Sequence, residues 1–534
     1  MVAKCKEIDG FNEETIRADL EKENKNDVRR IYILMEILFT PCIMDITKNL
    51  EMDFKKEGNR HYPRLLLLGI VMYCFSKKIY KYSEIVEQCK MNSFLKIFTR
   101  GAQPCESTFR NFLNTNKCDE FRKIFLYTLL RVNEYELLKF LHAFIDGTDA
   151  IIRGSKFYKI YKYELDAMRF MYENGLLHNG KPKMMRRSIR LLIRMKEENM
   201  ENEELIKMID KILPRIQIYT RKMYKKIDIF EEAIEKSNKN FVCITYPNAP
   251  LIKAKKGNWN FAKNLQMAVS DNNFILGSIF INDPDDSHAL EKLLPVLEKN
   301  FKILADLVEK YGVRNNTTEI KKLLKESMII CDSGYDTEAN IVYLHENEYR
   351  SLIMPKITSR FINKQMKEFD LELEKLSEGI TLLEEDEKFD KRDMPRIWNG
   401  MLCQNNRPIM YYEDSPIPEE VKKGLPYIAT KRRFKYKSND CSGCPYQETC
   451  KYNHVIEIIS PYTFKSLNKF TQNHYRELYM KRFQKIESVF GYFKGTDEIL
   501  HLMGNNDIAI SNEMDLRSAV YNTIHLVEMK GTFC

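Results

Sequence analysis

The stretch LHAFIDGT, residues 141–148, is a short apolar run that closes on an acid, Asp146, and a glycine, Gly147. The stretch SMIICDSG, residues 327–334, repeats the pattern, with Asp332 and Gly334. Apolar runs this short, ended by an acid and a turn residue, predict buried strands. Between them, Asn264–Val269 and Phe274–Asn282 flank Ser270-Asp271-Asn272-Asn273 and predict a hairpin. Asp286–Tyr311 has helical spacing, and Arg350–Met354 predicts one more buried strand, stopped by Pro355. Residues 156–240 are helical and basic. Strand, hairpin, helix, strand and strand with helical insertions define a mixed α/β core flanked by helices.

Working outward, residues 1–60 are charged and helix-prone. Pro63–Lys77 predicts a buried helix opened by a proline near its first turn. Tyr82–Phe98 follows with helical spacing, Pro104 breaks it, and Glu106–Leu113 resumes it with Ser107 or Thr108 as N-cap. Short helices joined by a tight break resemble a helix-turn-helix, in which Arg110, Asn111 and Asn114 could face a DNA groove; the alternative is an ordinary bundle. Towards the C-terminus, 365–390 is acidic and helical, 395–460 carries turn residues and clustered cysteines, 470–494 is helical, and a mixed tail follows. The resulting organisation has four parts. Residues 1–135 are expected to form a helical N-terminal domain, DNA-binding on the helix-turn-helix reading. Residues 136–360 are expected to form the first part of the α/β core, with a basic helical insertion at about 156–245. Residues 361–465 are a second insertion with the cysteine module, and 466–534 the final helices and tail.

Composition narrows the classes. Of 534 residues, 85 are Lys or Arg and 76 Asp or Glu, giving a net charge of +9 that suits a nucleic-acid partner. Only 20 glycines and 17 prolines are present, fewer than average, so long helices are expected. The longest apolar run, Leu65–Phe75, is too short for a bilayer, and the acid-rich N-terminus has no apolar signal segment. A soluble intracellular protein follows, in which 13 cysteines are reduced thiols or metal ligands.

Asp146 and Asp332 end buried strands, where α/β sheets gather ligands and catalytic groups. A third acid, Glu487, edges a helical stripe of Ile486, Val489, Phe490 and Phe493, framed by Arg482 and Lys494. Three converging carboxylates can hold two Mg²⁺ ions and so clamp both oxygens of an in-line phosphodiester displacement. Asp149 and Asp336 compete for the first two roles, but the acid nearest each apolar run is preferred. Asp285, Asp286 and His288 also lie near a strand end, where a helix N-cap by Asp285 or Asp286 is the favoured reading.

Cys441, Cys444 and Cys450 form a C-x2-C knuckle with a third thiolate, and Cys403 is the nearest fourth. Four thiolates suit a closed structural zinc site, favoured over an iron–sulfur cluster on the same ligands. Arg186, Arg190 and Arg194 recur every four residues on one helix face. Lys431, Arg432, Arg433 and Lys435 alternate with aromatics in KRRFKYK, a composition suited to phosphate contact and base stacking. Gly175–Lys181 is no P-loop, because Pro182 replaces the required Ser or Thr, and the zincin-like HENEY at 345–349 lacks its second His.

IDGT at 145–148, DSGYDTEAN at 332–340 and the Y-x2-R-x4-E-x6-K arrangement over 479–494 together resemble bacterial insertion-sequence transposases of the DDE type, in the group with a Y–R–E–K signature. NLQMAVSD, NDPDDSHAL and the region 61–115 resemble the same group, so the likeness runs through most of 60–500. Four residues separate Arg482 and Glu487, one more than in the best-known members. The resemblance implies an RNase H-like core, with Asp146, Asp332 and Glu487 as catalytic acids on two Mg²⁺ or Mn²⁺ ions. It places the family's Tyr, Arg and Lys, which serve DNA binding, on Tyr479, Arg482 and Lys494. It also implies a structural zinc in the cysteine insertion, double-stranded DNA with terminal inverted repeats as substrate, a homodimer in the synaptic complex, and work at the nucleoid of a bacterial cytoplasm. A silent DNA-binding derivative and a nuclease on the same core are the alternatives. Purified protein is expected to carry about one zinc per chain. Cys444→Ser should lower metal content and stability together; metal analysis showing neither zinc nor iron in reduced protein removes the claim.

Overall fold

The computed structural model describes residues 6–22, 34–51, 61–135, 138, 140–152, 158–253, 259–312, 317–354, 409–415, 433–438, 443–445, 455–458, 469, 473–495 and 499–530. The helix expected over 365–390 lies outside them, as do Cys403, Lys431, Arg432, Cys441 and Cys450. The fold is mixed α/β, in two compact units: one from 1–148, 264–500 and 508–534, the other from 149–263 and 501–507. No described helix is long and apolar enough to cross a membrane.

The first unit opens with helices α1 (Glu13–Leu20), α2 (Pro41–Glu51), α3 (Arg64–Ser76), α4 (Tyr82–Met91), α5 (Ser93–Thr99), α6 (Glu106–Leu113) and α7 (Cys118–Glu134). Every residue of α3 is buried, as a helix apolar on all sides requires. The single helical spacing read over Tyr82–Phe98 is two helices. Asn92 ends α4 and caps α5 by accepting from Leu95 N at 3.0 Å. The N-cap of α6 is Cys105 rather than Ser107 or Thr108. Arg110, Asn111 and Asn114 are exposed on α6.

Strand β1 (His142–Ile151) begins in the first unit and runs into the second, which holds β2 (Lys159–Tyr161), α8 (Lys162–Glu173), α9 (Pro182–Glu198), α10 (Glu203–Ile212), a 3-10 turn (Leu213–Ile218), α11 (Arg221–Tyr224), α12 (Ile227–Ser237), β3 (Phe241–Cys243) and β4 (Leu251–Lys253). The helices close over a core that includes Met168, Leu192, Ile212, Tyr219 and Phe230, beside the antiparallel pair β2–β3. Asp507 completes this unit, accepting from Lys263 Nζ at 2.6 Å and Tyr246 Oη at 2.5 Å.

Strand β5 (Trp259–Ser270) leads back into the first unit. It turns at Asn273, which has a positive φ of 63°, into β6 (Ile275–Ile281), pairing antiparallel as the hairpin reading expects. Then come α13 (Leu290–Tyr311), α14 (Thr317–Glu326), β7 (Met328–Cys331), α15 (Glu338–Glu346) and β8 (Arg350–Ile353). In the seven-stranded mixed sheet the path is β4–β5–β1–β7–β8, with β6 on β5. β1, β7 and β8 run parallel. The start of β1 is tied to the end of β5, where Asp271 accepts from Leu141 N, His142 N and the His142 ring at 2.6–2.9 Å. A separate antiparallel sheet has the order β11 (Val455–Ile458), β10 (Arg433–Ser438), β9 (Ile409–Ser415).

Two helices complete the unit: α16 (Asn473–Phe493) and, after the short β12 (Leu500–His501), α17 (Asp507–Lys530). The sequence marks the region of α17 only as a mixed tail, yet it is one long helix with buried residues on all sides. Asn512, Glu513, Asp515, Arg517, Ser518, Asn522 and Thr523 are all buried. With polar residues around its whole circumference, it has no apolar stripe to betray it. Each buried amide and charge has a task. Asn512 Nδ2 donates to Leu113 O and Thr115 O beyond α6. Asp515 accepts from Arg122 of α7, which also donates to Asn300 of α13. Asn522 accepts from Ile275 N at 2.9 Å and donates to Ile275 O at 3.0 Å. Asn300 Nδ2 donates to Leu276 O. Two asparagines thus do for the outer edge of β6 what a neighbouring strand would do. Asn522→Ala would leave a buried N–H and C=O without those bonds and should lower stability by about 2–4 kcal/mol, read by urea unfolding; a change under about 0.5 kcal/mol would show that water replaces the amide at no loss.

Candidate active site

Side chains alternate along a strand, so Phe144 and Asp146 share a face of β1. Phe144 packs with Ile330, Leu352 and Met354 of the parallel strands, and Tyr475, Leu478, Tyr479 and Phe483 of α16 lie over them. Asp146 follows on that face, at the edge of an apolar layer. Its side chain is only 16% exposed. Burial pushes its carboxyl up to about 6; the opposing cation Arg482 holds it down and the negative Asp332 adds to the rise. Oδ1 accepts from Gly147 N at 2.8 Å and Oδ2 from Arg482 Nη1 at 2.7 Å. Arg482 is itself only 4% exposed. Burial opposes its charge most strongly, but Asp146, Tyr479 and Asp332 together outweigh burial and raise the guanidinium above its ordinary value. It lies over the rings of Phe483 and Tyr479, at 4.8 and 5.7 Å. Burial pushes the Tyr479 hydroxyl up to about 12.

Asp332 ends β7 and caps the turn Ser333–Tyr335, its Oδ1 accepting from Gly334 N at 2.7 Å. The third acid in the cluster is Asp286, in the loop after β6. It is not the helix cap that the sequence favours. Asp285 takes the local turn bond, from Ser287 N at 3.0 Å, while the Asp286 carboxylate turns inward. Its Oδ1 accepts from Gln266 Nε2 at 2.6 Å and Asn264 Nδ2 at 3.0 Å. Burial raises its carboxyl above the usual range; the two amides hold it down and Asp332 pushes it up. Asn340 fixes the loop from behind, donating to Asp286 O at 2.8 Å and Tyr335 O at 3.1 Å. The Tyr335 hydroxyl donates to Gln266 Oε1.

Asp146 does not end its strand as the sequence predicts: β1 runs on through Gly147 to Ile151, whereas Asp332 directly follows the end of β7. The glycine after each acid has a steric cause. A Cβ on Gly147 would lie 2.7 Å from Asp286 Oδ1 and 2.5 Å from Gln266 Nε2. A Cβ on Gly334 would lie 3.0 Å from Asp286 Oδ2 and 2.9 Å from Asp332 Oδ1. Asp286 therefore fits between β1 and the turn after β7 only because both positions lack a side chain.

Glu487 lies apart from this group. It is exposed, while its helix turns Arg482 to Asp146. Five residues on, Glu487 points about 140° away around the axis. Its neighbour Ser488 accepts from Asn273 in the β5–β6 turn, beside the Asp271 that anchors the start of β1. Asp146 is further along that strand. Lys494 is partly exposed, beside the Phe490 ring at 5.7 Å. Arg186, Arg190 and Arg194 are exposed on α9. Arg433 and Lys435 belong to β10, the middle strand of its sheet. Cys444 is half-buried, while Cys74 and Cys331 are core residues. Among the described residues, no three of His, Cys, Asp or Glu are grouped closely enough to hold a metal ion as they stand. Asn264 and Gln266 were overlooked in the sequence. The signal was there: two amides two residues apart on one face of an otherwise apolar strand need a buried partner.

The chain matches no family model, no curated protein and no solved structure.

Gly147→Ala and Gly334→Ala should each force the acids apart and cost about 1–3 kcal/mol. Gly491, helical and with open space where its Cβ would go, is the control: Gly491→Ala should be neutral or gain up to about 1 kcal/mol. Denaturant unfolding of all three decides; Gly147→Ala as mild as the control would mean that the crowding is relieved without strain.

Proposed function

We propose that this chain is a metal-dependent DNA transposase of the kind its motifs resemble, with an RNase H-like core in the first unit. The single observation that carries the reading is the gathering of Asp146 within β1, Asp332 at the end of β7 and Asp286 in the loop after β6, with Arg482 as the cation among them. Strand β1, then the antiparallel hairpin β5–β6 beside it, then parallel strands β7 and β8 separated by helices, is the plan such a core uses. The donors are hard carboxylate oxygens, the type that Mg²⁺ and Mn²⁺ prefer. Three carboxylates against one guanidinium leave negative charge that bound cations or proton uptake must balance in a half-buried site. Bound by these acids, the ions would supply an activated water or 3′-hydroxyl and a stabilised leaving oxygen. Asp286 has the stronger claim to the third place, because it already faces Asp332 while Glu487 faces solvent. Arg482 holds Oδ2 of Asp146, so the ion pair and metal capture compete for one oxygen.

The substrate on this reading is double-stranded DNA, at terminal inverted repeats and at the target. Joining two ends calls for a homodimer, working at the nucleoid in a bacterial cytoplasm. The cysteine group serves as a zinc-held module. The same Arg482 bond favours one rival, a silent DNA-binding relative in which the cation has permanently replaced the metal.

Cleavage and strand joining on duplexes carrying the repeats that flank the gene test the proposal. Asp146→Asn, Asp332→Asn and Asp286→Asn should each lower the Mg²⁺-dependent rate by at least about a hundredfold while DNA binding persists. Glu487→Gln should be far milder; the reverse result would return the third place to Glu487. Cutting without joining would favour the nuclease reading. No cleavage by the unaltered protein with Mg²⁺ or Mn²⁺ would leave the silent one.

A further inference from the structure

Helix α9 of the second unit carries a charge pattern that its own fold does not use. Between Pro182 and Lys196 it has six cations, Lys183, Arg186, Arg187, Arg190, Arg194 and Lys196, and no acid. At about 100° per residue, the first five fall within about 100° of arc. All five are exposed. The buried side of the helix, with Ser188 and Leu192, faces the core of the unit.

The pairing is selective. Lys196, outside the stripe, reaches Asp210 of α10 at 2.5 Å. Arg194, at the end of the stripe, pairs with Glu198 at 2.7 Å. Lys183, Arg186, Arg187 and Arg190 make no ion pair among the described residues. Their arrangement works against the helix. Cations three and four residues apart repel, and Lys183 stands in the first turn, where the macrodipole disfavours positive charge and where no acid is present. Four cations that weaken their own helix, and that no acid among the described residues matches, are complementary to a partner outside the chain.

We propose that this face of α9 grips the phosphate backbone of duplex DNA without reading its sequence. From Lys183 to Arg190 and on to Arg194 the stripe extends about 16 Å, more than the roughly 12 Å width of a major groove, so one helix can reach phosphates on both sides. The exposed apolar residues argue against a membrane. An interfacial helix buries its apolar side in lipid and flanks it with cations. Here the order is reversed: the cations occupy the centre of the exposed face, and Leu191 and Ile193 lie at its two edges, 38% and 42% exposed. The proposal deepens the transposase reading by adding a second grip on the same substrate, and it does not depend on the acid cluster.

The test uses the full chain and two duplexes of unrelated sequence, with binding measured over a series of salt concentrations. The variant combines Lys183→Gln, Arg186→Gln, Arg187→Gln and Arg190→Gln. It should lower the slope of log affinity against log salt by about 3–4, equally for both duplexes. Its melting temperature should stay level or rise, since like charges are removed; a fall would mark the residues as structural and overturn the proposal. An unchanged slope also overturns it, as does wild-type protein that binds vesicles of anionic phospholipid but neither duplex. The two readings separate cleanly. If the slope falls in the variant but the wild type cuts no DNA, the chemistry fails and the surface stands. If cutting occurs and the slope does not change, the surface fails and the chemistry stands.

Discussion

Three carboxylates brought to one place repel one another, and the repulsion grows as water is excluded. Around Asp146, Asp286 and Asp332 the fold answers this in three ways. The glycines at 147 and 334 give Asp286 room between β1 and the turn after β7. The amides of Asn264 and Gln266 hold the Asp286 carboxylate with two donors. Arg482 brings a buried cation to Asp146. Each device comes from a different part of the chain, so the register of β5 against β1, the parallel pairing of β1 with β7 and the docking of α16 must all be correct together. A one-residue slip of β5 would turn both amides to the other face of the sheet.

Much of this was legible beforehand. The strands at 142–151 and 328–331 announce themselves as apolar runs before an acid and a glycine, because burial on both faces removes the alternation of a half-wet strand, although the first runs on past Asp146 and Gly147 to Ile151. The hairpin at 270–273 is written in its turn residues. Asp286 was not legible as a member of the cluster. An Asp before a helix is so common a cap that only its partners, some 20 positions upstream, distinguish it. The burial of Arg482 was hidden for a similar reason. A cation in a helix normally faces water, and only the tertiary pairing with Asp146 reverses that expectation. For α17 periodicity fails in principle, since a helix buried all round with polar side chains has no face to detect.

The two units also treat charge differently. In the first, several buried ions are matched in pairs: Arg482 with Asp146, Arg122 with Asp515, Arg517 with Glu513. Such pairs contribute less to stability than to specifying one arrangement, because desolvation offsets most of their attraction. In the second, the buried Glu164 is matched by Arg215, but the outer face of α9 is left unbalanced. Self-sufficiency inside and surplus outside are what separate an ion pair that holds a fold from a charge that awaits a partner.

The place of α17 in the chain bears on how the molecule is made. Its asparagines close the edge of β6 and the end of α6, both synthesised hundreds of residues earlier. Those groups therefore wait until α17 itself has been made before they find their lasting partners. Until then the β6 edge is open to any other extended chain, including a second nascent copy. Helix α17 acts as the lock that ends this exposure, so the span between emergence of β6 and arrival of α17 is when this protein most depends on being kept apart from its own kind.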